Sequence, residues 1–127
     1  MAVTGTSRIR NMSPQLLVAD LDRSIGFYTK KLGFHVAFHY EDFYAGIGKD
    51  GFTIHLKSGK PSLPERIIKR ENEDLDIVFS VDNIDSWYEE LSGRSVEITQ
   101  ALRSMSYGKE FYVADPDGYI IAFLEEV

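Results

Sequence analysis

The sequence contains no cysteine. This absence excludes disulfide bonds, zinc sites built from thiolates, and catalysis by a cysteine nucleophile. No apolar run approaches the ~18 residues that a membrane-spanning helix requires, and the first residues lack the apolar segment of a secretory signal. Glycine-rich phosphate loops and the GxSxG motif of serine hydrolases are also missing. Together these absences predict a cytoplasmic protein that has no membrane partner.

The sequence also has fewer basic than acidic residues. The 127 residues carry 14 Lys and Arg against 20 Asp and Glu, which gives a net charge of −6. Nucleic-acid binding needs a cationic face, so we predict no nucleic-acid partner. The acidic balance is compatible with a cationic ligand and with simple solubility. Length and a hydrophobic content of 43% predict one domain over residues 1–127, with a true core.

The first part of the chain, residues 11–57, predicts a strand, a helix and three strands. An apolar run over 13–18 is followed by Asp20, which suits a helix N-cap. Apolar residues then recur at helical spacing until Gly33, which suits a helix C-terminus: Leu21, Ile25, Tyr28 and Leu32. The stretches 34–40, 43–48 and 52–56 have the composition of strands, and Asp50-Gly51 predicts a hairpin turn.

Residues 58–73 interrupt this pattern with two prolines, Gly59 and mixed charges, and predict a linker. Its cations Arg66, Lys69 and Arg70 suggest either a solvated charge run or a contact with an anionic substrate.

Residues 74–127 then repeat the first part. A strand over 75–81 precedes Asn83 at the cap position, a helix follows, and strands are predicted over 95–99, 110–114 and 119–124. Aligning Gly51 with Gly118 places Ile54 against Ile121. We therefore predict an α+β fold of two paired βαβββ modules, forming a curved mixed sheet around a cavity.

Two segments resemble a known family. Residues 18–28 (VADLDRSIGFY) with Leu32-Gly33-Phe34 resemble the opening of a vicinal-oxygen-chelate module, and residues 110–118 (EFYVADPDG) resemble its closing signature. This superfamily includes glyoxalases, extradiol dioxygenases and bleomycin-resistance proteins, and the resemblance covers residues 11–126. It implies paired modules, a homodimer and, in the enzymes of the family, a divalent metal in the cavity.

The resemblance also implies four metal-ligand positions, which here hold Ser13, His55, Asp76 and Ala122. Only His55 and Asp76 are competent ligands, whereas catalytic sites normally use three or more. A shifted register would add Gln15 to these two. The incomplete set predicts that no cofactor is held and argues against an enzyme of the metal-dependent type.

Both competent residues have two interpretations. His55 is either a polar residue of a half-buried strand or a cavity-facing ligand, base or hydrogen-bond donor. Asp76 interrupts the apolar run over 75–79, where a carboxylate is costly to bury. It therefore faces a wet cavity, paired with His55, or it forms a structural salt bridge.

The function that we predict is metal-independent binding of a small aromatic or cationic compound, as in bleomycin-resistance proteins. Those proteins carry an aromatic-Gly pair before the penultimate strand, and Tyr107-Gly108 occupies that place. The predicted ligand-binding residues comprise four stacking aromatics, one acid and one hydrogen-bonding group: Tyr107, Tyr44, Phe38, Phe111, Asp76 and His55. The alternatives are a metal-dependent glyoxalase-type lyase or isomerase, an extradiol dioxygenase, and a regulatory relative. The sequence leaves open the ligand and whether modules pair within or between chains.

Overall fold

A computed structural model describes residues 5–127. In the first module the helix over Leu21–Gly26 continues directly into a π-helical turn, Phe27–Lys31. The elements in chain order are β1 (Gln15–Val18), α1 (Leu21–Gly26), β2 (His35–Tyr40), β3 (Tyr44–Lys49), β4 (Phe52–Ser58), α2 (Leu63–Glu71), β5 (Ile77–Ser80), α3 (Ile84–Gly93), β6 (Glu97–Met105), β7 (Gly108–Ala114) and β8 (Ile120–Glu126).

The strands form two four-stranded sheets with the same topology. Sheet 1 has the order β1-β4-β3-β2 and sheet 2 has the order β5-β8-β7-β6. In each sheet the first and last strands of the module pair in parallel, and the other pairs are antiparallel. Gln15 lies opposite His55 in sheet 1 and Val78 lies opposite Ala122 in sheet 2, which are equivalent positions in the alignment. The predicted α+β fold of duplicated βαβββ modules is confirmed.

Local signals explain the ends of the first helix. The Asp20 side chain accepts a hydrogen bond from the Arg23 amide, as an N-cap should, and Gly33 has a φ of +81° after the last turn. Asn83 behaves differently, because its φ is +55° and its side chain makes no capping bond. Glu125 of β8 caps α3 instead, since its Oε1 accepts from the Ile84 amide at 3.0 Å.

The segment predicted as a linker contains helix α2. Ser62 caps it by accepting from the Glu65 amide, and Pro64 lies in the first turn. The Ser-x-x-Glu spacing from Ser62 to Glu65 is a helix-start signal. The two prolines beside it are typical of a linker, which is why the sequence pattern predicts no helix here. Its cations contact protein carboxylates, since Lys69 pairs with Asp76 and Arg70 with Glu97.

One hydrophobic core joins the modules. It collects side chains from α1, the π-helical turn, α3 and one face of each sheet, including Tyr28, Leu56, Leu91, Phe111 and Phe123, all at most 1% exposed. A smaller cluster lies on the opposite face of sheet 2. Each sheet therefore has a core face and an outer face, and the two core faces share one interior.

The turn between β7 and β8 connects the modules by polar contacts. Tyr28 of the first module donates to the Asp115 carboxylate at 2.7 Å, and Ser24 donates to Asp117 at 3.3 Å. Asp115 also accepts from the amides of Asp117 and Tyr119, both at 2.9 Å, which holds the turn closed. These bonds fix the orientation of one module relative to the other.

Over residues 5–127, no helix has both the length and the apolar character needed to cross a membrane.

Candidate functional site

Three predicted binding residues, Phe38, Tyr44 and His55, lie together on the outer face of sheet 1. Phe38 and His55 both lie opposite Gly46, and Gln15 lies opposite His55, so these side chains share one face. Tyr44 is two residues before Gly46 and therefore shares its face. The rings of Phe38, Tyr44 and His55 are 5.1–6.1 Å apart. We call these three residues the sheet-1 wall.

Gly46 makes this packing possible. The Phe38 ring lies directly over its backbone, where any side-chain carbon at position 46 would collide with the ring. The Phe38 and Tyr44 rings are nearly parallel, at 15°, whereas both rings meet His55 edge-on. Gly46 was not predicted as a site residue, and its signal is only visible once its two strand neighbours are known.

Gln15 and the polar atoms of the sheet-1 wall form a series of hydrogen bonds. Gln15 Nε2 donates to the Tyr44 hydroxyl at 3.0 Å, and this hydroxyl is 2.8 Å from His55 Nδ1. All three groups are satisfied when the Tyr44 hydroxyl donates its hydrogen bond to Nδ1, which requires the His55 tautomer that carries its hydrogen on Nε2. His55 then carries one N–H donor that no hydrogen bond within residues 5–127 uses.

A second wall lies on the outer face of sheet 2. The Glu110 carboxylate, in a residue only 5% exposed, accepts from the Tyr107 hydroxyl at 2.6 Å and the Tyr112 hydroxyl at 3.0 Å. Arg103 forms an ion pair with the same carboxylate at 2.6 Å. Tyr107 keeps 44% of its surface exposed, so its ring is held in place yet accessible. We call Arg103, Tyr107, Glu110 and Tyr112 the sheet-2 wall.

Glu110 is charged in this environment. Burial alone would raise the pKa of its carboxyl, but hydrogen bonds from Arg103 and the two tyrosines outweigh burial and lower the pKa below its ordinary value. In turn, the hydrogen bond to Glu110 raises the pKa of Tyr107. The wall is therefore a neutralised network in which an anionic carboxylate orients two phenols.

Phe111 does not belong to either wall. It is fully buried in the shared core, stacked on Phe123 at 4.8 Å. Side chains alternate along a strand, so Tyr112 points to the outer face instead. The structure thus places Phe111, predicted as a ligand-stacking residue, in the core, and the next residue, Tyr112, is the aromatic on the outer face.

Asp76 is not a free charge in a wet cavity. Its side chain is 7% exposed and pairs with Arg66 at 2.8 Å and Lys69 at 2.7 Å, both from α2. Its second oxygen also accepts from the Ile120 amide at 2.8 Å. Burial opposes ionisation, but these partners prevail and lower the pKa of Asp76. Of the two interpretations, the structural salt bridge is the one that the structure contains.

The residues at the four metal positions do not form a ligand set. Ser13 hydrogen-bonds to Thr53, His55 to Tyr44, and Asp76 pairs with two cations, while Ala122 has no donor atom. Residues 5–127 contain no cluster of three His, Asp or Glu side chains placed to hold a metal ion. These donors do not fit the divalent metal that the enzymes of the resembled family use.

Comparison with known proteins agrees with this architecture. The family model of the Glyoxalase/Bleomycin resistance protein/Dioxygenase superfamily matches residues 10–123. Bleomycin resistance proteins of Geobacillus stearothermophilus and Staphylococcus aureus are 27% identical over 129 residues, covering 90% of this chain and 95% of each relative.

Solved structures of similar fold include the following two. That of UcmS2 has a TM-score of 0.77 at 24% identity, over 94% of this chain and 100% of the other. The bleomycin-binding protein of bleomycin-producing Streptomyces verticillus, complexed with copper(II)-bleomycin, has a TM-score of 0.71 at 21% identity, over 96% and 100%. The chain therefore belongs to the glyoxalase/bleomycin resistance protein/dioxygenase superfamily.

Proposed function

We propose that this protein binds and sequesters a small aromatic or cationic compound without a metal ion. The observation that carries this proposal is the sheet-1 wall, in which two nearly parallel aromatic rings and a histidine share one open sheet face. Such a surface stacks on a flat ligand ring, attracts a cation to its π faces and offers a hydrogen bond from His55. Its likeness to bleomycin resistance proteins supports the same function.

We further propose that a homodimer completes the site. Each wall lies on an outer face, directed away from the core that the two sheets share, so one chain supplies only one side of a stacking site at each wall. Val36 and Tyr40 on edge strand β2, at 45% and 59% exposure, offer apolar surface for a second copy. A partner that places its sheet-2 wall opposite the sheet-1 wall would enclose the ligand with Tyr107.

Binding can be tested with bleomycin, in its metal-free and copper(II) forms, and with a panel of flat aromatic amines, by calorimetric titration. We expect Phe38→Ala and Tyr107→Ala each to weaken binding about five- to thirtyfold, since a buried stacking contact contributes on the order of 1–2 kcal/mol. Phe43→Ala is the matched control, because Phe43 is exposed in the turn before β3 and outside both walls. Unchanged affinity in both wall variants, or no binder in the whole panel, contradicts the proposal.

Metal content separates this function from a metal-dependent lyase, isomerase or dioxygenase. After incubation with Mn²⁺, Fe²⁺, Ni²⁺ or Zn²⁺ and dialysis, we expect far less than one ion per chain, because fewer than three competent ligands are available for one ion. One tightly held ion per chain that His55→Ala removes would contradict metal independence and favour the enzymatic alternative.

The dimer is tested by the mass in solution. We expect twice the chain mass of 14.4 kDa by light scattering, and a shift towards the monomer in Tyr40→Lys. A monomeric Tyr40→Lys variant that binds its ligand as tightly as the unaltered protein would show that no second copy is needed.

A further inference from the structure

A cleft of about 380 Å³ lies between the modules, away from both walls. One side is the hairpin that joins β3 and β4, with Lys49, Asp50 and Phe52. The other side is the end of β5 together with α3, with Asp82 and Trp87. The volume falls within the range of small-ligand sites, which begin at about 300 Å³.

The floor of the cleft is aromatic and belongs to the core faces of the sheets. Phe79 lies 5.6 Å from Phe123, Trp87 lies 5.1 Å from Phe123, and Phe34 lies 5.8 Å from Phe79. Phe52 stands at the rim with 71% of its surface exposed. Since these side chains are on the side of the sheets opposite to the walls, the cleft is a separate site.

The chain's own cation already occupies the indole face. Lys49 Nζ lies 5.6 Å from the centre of the Trp87 ring, within the range of a cation–π interaction. It also contacts Asp50 at 3.9 Å, and the Asp50 side chain is 79% exposed. Neither contact holds the flexible lysine strongly, because exposed ion pairs contribute little. A ligand cation can therefore take the place of this ammonium group.

The charges at the rim favour a cation. Lys49 contributes one positive charge, and Asp50 and Asp82 contribute two negative charges. Asp82 is exposed and takes part in none of the ion pairs formed within residues 5–127. A monocation would thus neutralise the rim, whereas an anion would face a net repulsion.

We propose that this inter-module cleft is a second binding site, which takes an aromatic ammonium compound with its cation over Trp87 and beside Asp82. The aromatic part of the ligand lies against Phe52 and Phe79. Lys49 swings aside and no longer covers the indole. Nothing in this site depends on the two walls or on a second copy of the chain.

Trp87 is the single tryptophan of the chain, so intrinsic fluorescence reports directly on the cleft. We expect benzyltrimethylammonium to cause a saturable change in tryptophan emission, with at least about tenfold higher affinity than 3-phenylpropionate, an anion of similar size. No saturable change, or tighter binding of the anion, overturns the proposal.

Two rim variants test the roles of the charges. Asp82→Asn should weaken binding of benzyltrimethylammonium about three- to fivefold, and Lys49→Met should strengthen it, because the competing cation is gone. Phe38→Ala should leave this titration unchanged while it weakens binding at the sheet-1 wall, so failure of one site is distinguishable from failure of the other. Equal affinity in all four proteins would show that the cation does not bind at this rim.

Discussion

Replacing Asp76 by alanine is expected to lower the free energy of unfolding by about 3–5 kcal/mol, the cost of removing one partner from a buried ion pair. The Arg66 side chain is 8% exposed and sits over the Tyr119 ring at 4.3 Å, so its charge would remain buried. The only ion-pair partner left to it within residues 5–127 would be the exposed carboxylate of Glu65 at 3.4 Å. The Ile120 amide would lose its acceptor as well. Urea denaturation of the two proteins, followed by circular dichroism, measures the difference.

Matched variants separate this explanation from a general effect of losing an acid. Asp74→Ala removes an exposed carboxylate two residues earlier and should change stability by less than about 0.5 kcal/mol. The double variant Arg66→Met with Asp76→Asn should be less destabilised than the sum of its single changes, because it leaves no unpaired guanidinium. Additive effects, or a nearly neutral Asp76→Ala, would mean that the ion pair does not hold α2 to sheet 2.

Stability should depend on pH through Asp115, the acid that connects the modules. Burial raises the pKa of Asp115 to about 6, even though hydrogen bonds from Tyr28 and two backbone amides favour the ionised form. A folded-state pKa above the ordinary value of 3.8 means that folding favours the protonated acid. Its contribution to stability is therefore fully present below about pH 4 and is lost as the pH rises through about 6.

Asp115→Asn removes this titration while keeping the shape of the side chain. The stability of the variant relative to the unaltered protein should improve by roughly 3 kcal/mol between pH 4 and pH 8, at about 1.4 kcal/mol per pKa unit. Chemical denaturation at several pH values measures this difference. Tyr28→Phe should move the pH-dependent region upwards, because it removes a donor to the carboxylate. A difference that stays constant, or that shrinks with rising pH, would contradict a raised pKa.

The elements of the fold were predictable where the signal is local. The helix after Asp20 follows from a capping side chain, a period of 3.6 residues and a glycine at its end. The duplication follows from the same pattern occurring twice, and the common strand order of the two sheets confirms it. Helix α2 was not predicted because Pro61 and Pro64 are typical of a segment without a helix. Pro64 is nevertheless tolerated, since it lies in the first turn.

The candidate site was predictable in part. The strand order brings Phe38, Tyr44 and His55 to one face through Gly46, and their role in ligand binding stays a prediction. Phe111 was misplaced because a one-residue difference along a strand reverses the face of the side chain. Glu110 and Arg103 were missed, since their importance depends on a network across β6 and β7 that has no motif in the sequence.

The sequence by itself determined the repeated module, the start of its first helix, its turns and its superfamily, because propensity, periodicity and spacing act over a few residues. Only the tertiary structure decided what the charged residues do. Asp76 is neutralised by a helix that folds back on it, and Asp115 is desolvated by the opposite module. Both outcomes depend on burial and on partners that lie in other elements of the fold. Whether a charge is stable at a position depends on these surroundings, which local sequence patterns do not specify.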